Sequence, residues 1–350
     1  MKKQFVEIDP DVVLREMRSR HWNSDDLVKK TDLSAGTVSA LLQGKHPSYW
    51  STAIVLQKVF GFDSVDRLIK KPDSGNSTPD DWVQEWQKAD SLSDWVTTSN
   101  KLQYRIWKLK HRHLSKVARG KCYELDGMAS RDRDSCQAWL LRHAEVCSRI
   151  GEHPNIIRNI TTFEDMPRHH WWIVDEWVDG ETLSNFLRQT KLDTQQALDC
   201  SVQIAIALNT LHAQKIVRRE LCPDSIIFQP AFNRIVLTEF ELAKLHDGSP
   251  TVSTESWPSD DYRAPEASSS DVDMRADIYS WSKITIELLL GKLPPDGREF
   301  GALQKTKLAK PLSKLLLDCI SISRRSRPSS FDEILGQLTS FQSKVSKVPS

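Results

Sequence analysis

Residues 216–227 read I-V-R-R-E-L-C-P-D-S-I-I, and this stretch decides how the rest of the chain is interpreted. Apolar residues stand at both of its ends, and one carboxylate, Glu220, stands near its centre. Further along, residues 237–244 read L-T-E-F-E-L-A-K and carry two more carboxylates, Glu239 and Glu241. Carboxylates can act as general bases and can bind metal ions, so these three residues are candidate functional residues.

Residues 216–227 resemble the catalytic loop of protein kinases, whose pattern is I-x-H-R-D-L-K-P-x-N-I-L. Arg218 takes the place of the His, Glu220 that of the catalytic Asp, and Cys222 that of the Lys. Arg219 matches the Arg, and Ser225 takes the place of the metal-binding Asn. The resemblance implies a two-lobed α+β fold, and it marks Glu220 and Ser225 as degenerate counterparts of catalytic residues.

Residues 237–244 resemble the kinase D-F-G segment, with Glu239 in place of the Asp and Glu241 in place of the Gly. Phosphoryl transfer needs mainly positioning and charge neutralisation by carboxylates and Mg²⁺. Glu220 and Glu239 each add one methylene to the Asp that they replace, which moves the carboxylate by roughly 1 Å and can cost on the order of a hundredfold in rate. Because Mg²⁺ also demands near-octahedral geometry, we expect a catalytically degraded domain, a pseudokinase, with no cofactor. The open alternative is an active, divergent Ser/Thr kinase that uses Glu220 and Glu239 with ATP and Mg²⁺.

Motifs of the large lobe match the family more closely. Residues 262–266 read Y-R-A-P-E and match the A-P-E motif, while Asp277 matches the buried Asp of the following helix. Arg327 matches the arginine that pairs with the A-P-E glutamate, Glu266, so the resemblance implies an ion pair between them. Arg219 is where the family places an arginine that pairs with phosphate. Scaffold positions are kept while catalytic positions have changed, which favours a retained shape with a new use.

The small-lobe resemblance is weaker. Residues 110–121 are the expected place of the glycine-rich loop that covers the phosphates, and they contain only Gly120. Without further glycines the backbone cannot approach phosphate closely, although a basic loop still attracts it by charge. Lys121 is the best match for the phosphate-gripping lysine, and Lys116 is a weaker one.

The glutamate partner of that lysine is expected about ten residues before an H-P-N-I-I motif. His143 falls nearest to this place, with the carboxylate of Glu145 close by, and if His143 occupies it the lysine–glutamate pair is lost. Residues 172–183 resemble the hinge between the lobes, which makes Glu176 a candidate for nucleotide binding. Asp175 falls at the gatekeeper position, where a buried unpaired carboxylate would be costly.

Residues 10–69 show the apolar periodicity of about five short helices. Residues 30–45 read K-T-D-L-S-A-G-T-V-S-A-L-L-Q-G-K and resemble the helix-turn-helix of the lambda-repressor-like (XRE-type) family. The resemblance implies that Ser34 caps the recognition helix and that Val38 and Leu41 face the core.

Duplex DNA is the expected partner of this domain, which we expect to bind as a homodimer. Thr and Gln side chains can reach base edges, while Ser and Lys typically contact phosphates. The candidate DNA-binding residues are Ala35, Thr37, Ser39, Gln43 and Lys45. Residues 1–71 contain twelve Lys or Arg and nine Asp or Glu, a net charge of only +3, so a protein-interaction module is the alternative.

Bulk properties exclude several classes of protein. The net charge of +1 gives no global field for nucleic acid. The six cysteines are scattered without a C-x-x-C pair, which argues against a disulfide framework or a zinc site and favours a reducing cytoplasm. The first residues contain no apolar run of signal length, and the sequence contains no stretch of eighteen apolar residues, so we expect a cytoplasmic protein without a membrane partner.

The sequence therefore predicts a multidomain chain, an all-α helix-turn-helix bundle followed by an α+β kinase-like fold. The expected segments are a helix-turn-helix domain (1–71), a linker and Trp-containing connecting segment (72–103), a small lobe (104–175), a large lobe (176–341) and a disordered tail (342–350). The expected function is a bacterial DNA-binding regulator whose kinase-like domain binds a protein partner or senses a signal, with transcription regulation or phage defence suggested by analogy alone. An active kinase and a pure interaction scaffold stay open.

Overall fold

The computed structural model describes residues 5–45, 48–62, 64–69, 82–98, 102–126, 128, 130–165, 169–245 and 260–345. The chain divides into two compact units, Met1–Asp81 and Trp82–Ser350. Most of the expected linker, residues 70–81, lies outside the described residues. Each unit is described below by itself.

The first unit is built mainly from short helices. Its elements are β1 (Phe5–Val6), α1 (Pro10–Ser19), α2 (Ser24–Thr31), α3 (Ala35–Leu42), β2 (Ser48–Tyr49), α4 (Trp50–Phe60) and a 3-10 turn (Val65–Arg67). Strands β1 and β2 pair antiparallel. The fifth expected helix is only this 3-10 turn, because the chain beyond it runs extended against the start of the unit, where Asp9 N–H donates to the Leu68 carbonyl at 2.8 Å.

Helix α3 begins as the sequence predicts. The Ser34 hydroxyl accepts the backbone N–H of Thr37 at 3.1 Å, which satisfies one of the free donors at the helix start. Val38 and Leu41 are buried in the core of the unit with Val13 and Leu56. A helical bundle is therefore present.

The small lobe of the second unit is a twisted antiparallel sheet with one long helix. Its elements are β3 (Trp82–Val83), β4 (Trp86–Ser91), β5 (Val96–Thr97), β6 (Gln103–His111), β7 (Val117–Glu124), α5 (Ser130–Ile150), β8 (Asn159–Asp165) and β9 (His170–Glu176). The strand order is β3-β4-β6-β7-β9-β8, and β5 also pairs with β6. Strands β3 to β5 belong to this sheet, so the expected connecting segment over residues 72–103 is in large part structured and the small lobe begins near Trp82 rather than at residue 104.

Alternation along the strands separates the two faces of the sheet. On one face Leu109, Cys122 and Trp172 form a buried cluster that β3 and β4 cover. On the other face Tyr123 and Ile173 pack with residues of α5. Strand β7 thus carries its odd-numbered side chains toward the helix and the cleft below it.

The large lobe is mainly helical. Its elements are β10 (Glu181–Thr182), α6 (Leu183–Gln189), α7 (Thr194–Ala213), β11 (Ile216–Val217), β12 (Ile226–Gln229), β13 (Arg234–Leu237), β14 (Lys244–Leu245), α8 (Arg275–Leu290), α9 (Glu299–Gln304), α10 (Lys310–Cys319) and α11 (Phe331–Val345). Helix α7 begins at Thr194 because Asp193 and Gln196 form a capping box at its start. The tail expected over 342–350 is wrong in part, since α11 continues to Val345.

Candidate active site

The cleft of the second unit contains a cavity of about 280 Å³. Acidic and hydroxyl side chains of the large lobe face a lysine of the small lobe across it. The polar residues that line it include Lys121, Glu220, Asp224, Ser225, Glu239 and Glu241. The sequence-predicted candidates Glu220, Ser225, Glu239 and Lys121 are therefore brought together in one cavity.

Four charged side chains form an ion cluster between the lobes. Lys121 Nζ lies 3.1 Å from Glu241 Oε1 and 3.3 Å from Glu239 Oε1. Arg119, two residues earlier on the same face of β7, lies 3.1 Å from Glu239 Oε1. Residues 239–241, which we call the E-F-E segment, therefore hold the small lobe through two carboxylates.

Burial and charge act against each other in this cluster. Burial alone would lower the pKa of Lys121, but Glu239 and Glu241 prevail and raise it well above its usual value. Burial alone would raise the pKa of both glutamates, but Lys121 prevails and lowers it. Tyr123 adds a hydrogen bond of 2.7 Å from its hydroxyl to Glu241. All four charged groups are thus held in their ionised forms.

The backbone at the E-F-E segment and at the catalytic loop is held in unusual conformations. Arg219 and Glu239 have φ values of +69° and +62°, a left-handed geometry that costs roughly 1 to 3 kcal/mol for residues other than glycine. The buried guanidinium of Arg218 donates to the carbonyls of Thr238 and Glu239. Asp277 accepts the backbone N–H groups of Arg218 and Arg219, each at 2.8 Å. These bonds fix the two strained segments relative to each other.

In the catalytic loop, the charge of Glu220 is partly neutralised by a residue that the sequence analysis did not single out. Arg263 donates to Glu220 Oε1 at 2.7 Å. The Ser225 hydroxyl donates to the carbonyl of Cys222 at 3.0 Å and accepts the Cys222 N–H at 3.3 Å. The Glu220 carboxylate and the Ser225 hydroxyl therefore both lie at the cavity wall, the first paired with Arg263 and the second with the backbone of Cys222.

The loop over the cavity is not the one that the sequence suggested. The hairpin between β5 and β6 lines the cavity with Val96, Thr97, Thr98 and Leu102. Residues 110–121 instead form the end of β6, a turn and the start of β7. An added Cβ at Gly120 would lie 2.5 Å from Leu109 Cδ1, so this glycine serves sheet packing rather than an approach to phosphate. The glycine-rich loop was expected at residues 110–121 because strands β3 to β5, which precede it, are short and polar and were not recognised as strands.

Two nucleotide-binding candidates lie elsewhere. Glu145 is on the exposed side of α5, where it accepts a hydrogen bond of 2.9 Å from Arg149. Glu176 accepts the backbone N–H of Arg158 at 3.2 Å and lines a different pocket. The carboxylates that reach Lys121 come from the E-F-E segment instead.

A protein kinase domain model matches residues 105–342, more than half of the 350-residue chain. The chain belongs to the protein kinase family. This kinase chain is 31% identical over 215 residues to a probable serine/threonine-protein kinase of Clostridium acetobutylicum, covering 57% of this chain and 32% of the relative. It is 24% identical over 236 residues to serine/threonine-protein kinase A of Synechocystis, covering 59% and 45%. The chain thus spans less than half the length of these two relatives.

These relatives correct the expectation that no cofactor is used. The family match and relatives named as serine/threonine kinases imply the use of ATP and Mg²⁺, so the expected absence of a cofactor is wrong. The names give no support to the expected loss of catalysis. The match does not extend over residues 1–71, so DNA binding stays a prediction. Within the described parts of the chain, no helix is long and apolar enough to cross a membrane.

Proposed function

We propose that the second unit is a divergent serine/threonine protein kinase that uses Glu220 and Glu239 in the two catalytic carboxylate positions. The observation that carries this proposal is the convergence of Lys121, Glu220, Ser225 and Glu239 on one cavity. All of the charge types that phosphoryl transfer needs are present there, namely a cation for the phosphates and carboxylates for the metal and the substrate hydroxyl.

The side chains at the cavity fit a nucleotide with bound Mg²⁺. Lys121 and Arg119 would hold the phosphates, and the oxygens of Glu239 and Ser225 would hold the metal. Among the described residues, no group of three or more His, Cys, Asp or Glu side chains is arranged to hold a metal by itself. Mg²⁺ in such sites needs only one or two carboxylates, because substrate phosphates and water complete its shell. When bound, ATP supplies the phosphoryl group, and Glu220 orients the hydroxyl that receives it.

Nucleotide binding is tested by a thermal shift with ATP and Mg²⁺. A ligand at a hundred times its Kd stabilises the folded state by about 2.7 kcal/mol, so the wild-type melting temperature is expected to rise. Lys121→Met is expected to lose this rise, while Lys110→Met, at an exposed lysine of the adjacent strand β6, keeps it as a matched control. A rise that is equal in both variants would place the nucleotide elsewhere.

The pH dependence of the rate tests the role of Glu220. Burial raises the pKa of Glu220 above its usual value of 4.5, and Arg263 and Arg218 counteract part of that rise. Because the carboxylate must be ionised to accept a proton, kcat/KM is expected to fall as the pH drops through this raised pKa, so the acid limb lies above pH 4.5. Arg263→Gln removes the nearest cation and is expected to move the limb to higher pH. An acid limb of the kcat/KM profile that stays at the wild-type pH in Arg263→Gln, or moves to lower pH, would contradict this role of Glu220.

We also propose that residues 1–71 bind duplex DNA through α3. The observation that favours it is that most of the candidate DNA-binding side chains are exposed to solvent. The exposed ones, on α3 or just beyond its end, are Ala35, Ser39, Gln43 and Lys45, while Thr37 is half-buried. In a helix-turn-helix the start of the second helix enters the major groove. The modest positive charge implies binding that falls with salt by a slope of only a few phosphates.

Three substitutions separate base reading from phosphate binding in a salt-titrated binding assay. Thr37→Ala and Gln43→Ala are expected to reduce discrimination between sequences by roughly 1 to 3 kcal/mol each. Lys45→Ala is expected to weaken all sequences alike and to lower the salt slope by about one. Dimers on a two-fold site spaced by one helical turn are expected. No binding at low salt would assign the unit to protein interaction.

A further inference from the structure

A buried histidine of α5 contacts the E-F-E segment directly. His143 Nδ1 accepts the backbone N–H of Phe240 at 3.2 Å, and the two rings pack with centroids 5.7 Å apart. Its other nitrogen, Nε2, lies 2.9 Å from Asp175 Oδ1. His143 and Asp175 are each 1% exposed and Phe240 is fully buried. The imidazole is thus a bridge between two groups that have no access to water.

The partners of the ring fix where its proton lies. A backbone N–H can only donate, so the Nδ1 of His143 must present its lone pair to Phe240. The proton is then on Nε2, which donates to the carboxylate of Asp175. Asn159 Nδ2 donates to the same carboxylate oxygen at 2.9 Å. Asp175 is therefore satisfied in its buried place, and β8, β9, α5 and the E-F-E segment are joined by one chain of hydrogen bonds.

This chain of hydrogen bonds ends at the backbone of the E-F-E segment, next to the proposed active site. Phe240 is flanked by Glu239 and Glu241, the two carboxylates that reach Lys121. A bond to the Phe240 N–H therefore holds the midpoint of the segment while its two side chains point at the ion cluster. The backbone of Glu239 is in the left-handed region and needs such restraint to stay there.

We infer that His143 is a positioning residue, which sets the place of Glu239 and Glu241 through the backbone N–H of Phe240. Helix α5 thus acts on the cleft through the E-F-E backbone, while the ion pair with Lys121 is supplied by the segment itself. The catalytic consequence rests on the proposed kinase function, but the backbone bond does not.

Three substitutions separate the two sides of the imidazole. His143→Asn keeps an acceptor near the position of Nδ1 and loses the donor to Asp175, whereas His143→Gln keeps a donor near Nε2 and loses the acceptor for Phe240. His143→Leu loses both. Amide hydrogen exchange of the peptide that contains Phe240 reports the bond directly, because exchange requires the bond to open. A peptide from the buried core of α8 serves as the reference for global unfolding.

Wild type and His143→Asn are expected to protect the Phe240 amide, while His143→Gln and His143→Leu exchange it at least about tenfold faster with the α8 reference unchanged. In the Mg²⁺ titration of ATP turnover, His143→Gln is expected to need more Mg²⁺ for half-maximal rate and His143→Asn to restore the wild-type value. Equal exchange in all four proteins, or a rise that the α8 peptide shares, would overturn the inference. Absence of turnover in wild type with the exchange pattern intact would instead count against the proposed kinase function alone.

Discussion

Arg327→Ala is expected to destabilise the large lobe by roughly 3 to 5 kcal/mol, because it leaves a carboxylate without its buried partner. Both terminal nitrogens of Arg327 contact Glu266, at 2.5 and 3.0 Å, and its side chain is inaccessible to solvent. The same guanidinium donates to the carbonyls of Ser321 and Arg275 at 2.8 and 3.0 Å. One substitution therefore releases three separate parts of the lobe.

The control for this prediction is Arg324→Ala. Arg324 pairs with Asp271 at 2.7 Å on the exposed surface, where water and salt screen the two charges and the pair adds little to stability. Urea unfolding followed by fluorescence measures both variants, and the Arg327→Ala midpoint is expected far below that of Arg324→Ala. Equal midpoints would mean that the match of residues 262–327 to the family scaffold is wrong.

Glu220→Gln is expected to lower the rate of phosphate transfer by about 10²- to 10⁴-fold, the range that a positioned general base supplies. The amide keeps the size of the side chain and can still contact Arg263, so the fold is expected to persist. Nucleotide affinity is expected to stay near that of wild type, because Lys121 and Glu239 are untouched. Glu152→Gln, on the exposed surface, is the matched control for a lost negative charge. A rate in Glu220→Gln within a few-fold of that control would remove Glu220 from the mechanism.

The large lobe could be predicted from the sequence because its motifs are local. The Y-R-A-P-E motif, Asp277 and Arg327 each identify one position of the family scaffold. Capping residues set helix α7, and its bounds follow from a short window of sequence. The contacts of these residues are not local in sequence, since the ion pair between Glu266 and Arg327 joins positions 61 residues apart.

The small lobe was harder to predict because its strands owe their pairing to distant partners. Trp86–Ser91 is a polar, Trp-containing stretch that becomes a strand only because β6 lies beside it. The sequence from β5 to β6, whose described residues line the cavity, contains no glycine. The glycine-rich loop was therefore placed at the basic residues 110–121, which do contain one. Arg119 could have been identified as a candidate from the sequence. It lies two residues before Lys121 on β7, and residues two apart on a strand point to the same face of the sheet.

The consequences of the substituted motifs also depended on three-dimensional context. Glu241 stands where the kinase pattern has a glycine, yet its carboxylate pairs with Lys121 and accepts a hydrogen bond from the Tyr123 hydroxyl. Asp175 looked costly at a buried position, yet His143 and Asn159 both donate to it. Neither partner could be found from spacing along the chain. The sequence therefore identified the changed positions but not the residues that contact them in the folded structure.

The central claim, that this cleft transfers phosphate, is tested most directly by incubating the full chain with radiolabelled ATP, Mg²⁺ and a library of serine- and threonine-containing peptides. Typical kinases turn over about 1 to 100 times per second, and a carboxylate displaced by about 1 Å can cost on the order of a hundredfold. The expected wild-type rate is therefore about 0.01 to 1 per second, dependent on Mg²⁺ and lost in Glu220→Gln. Labelling of peptide by wild type that is no faster than by Glu220→Gln would contradict the claim.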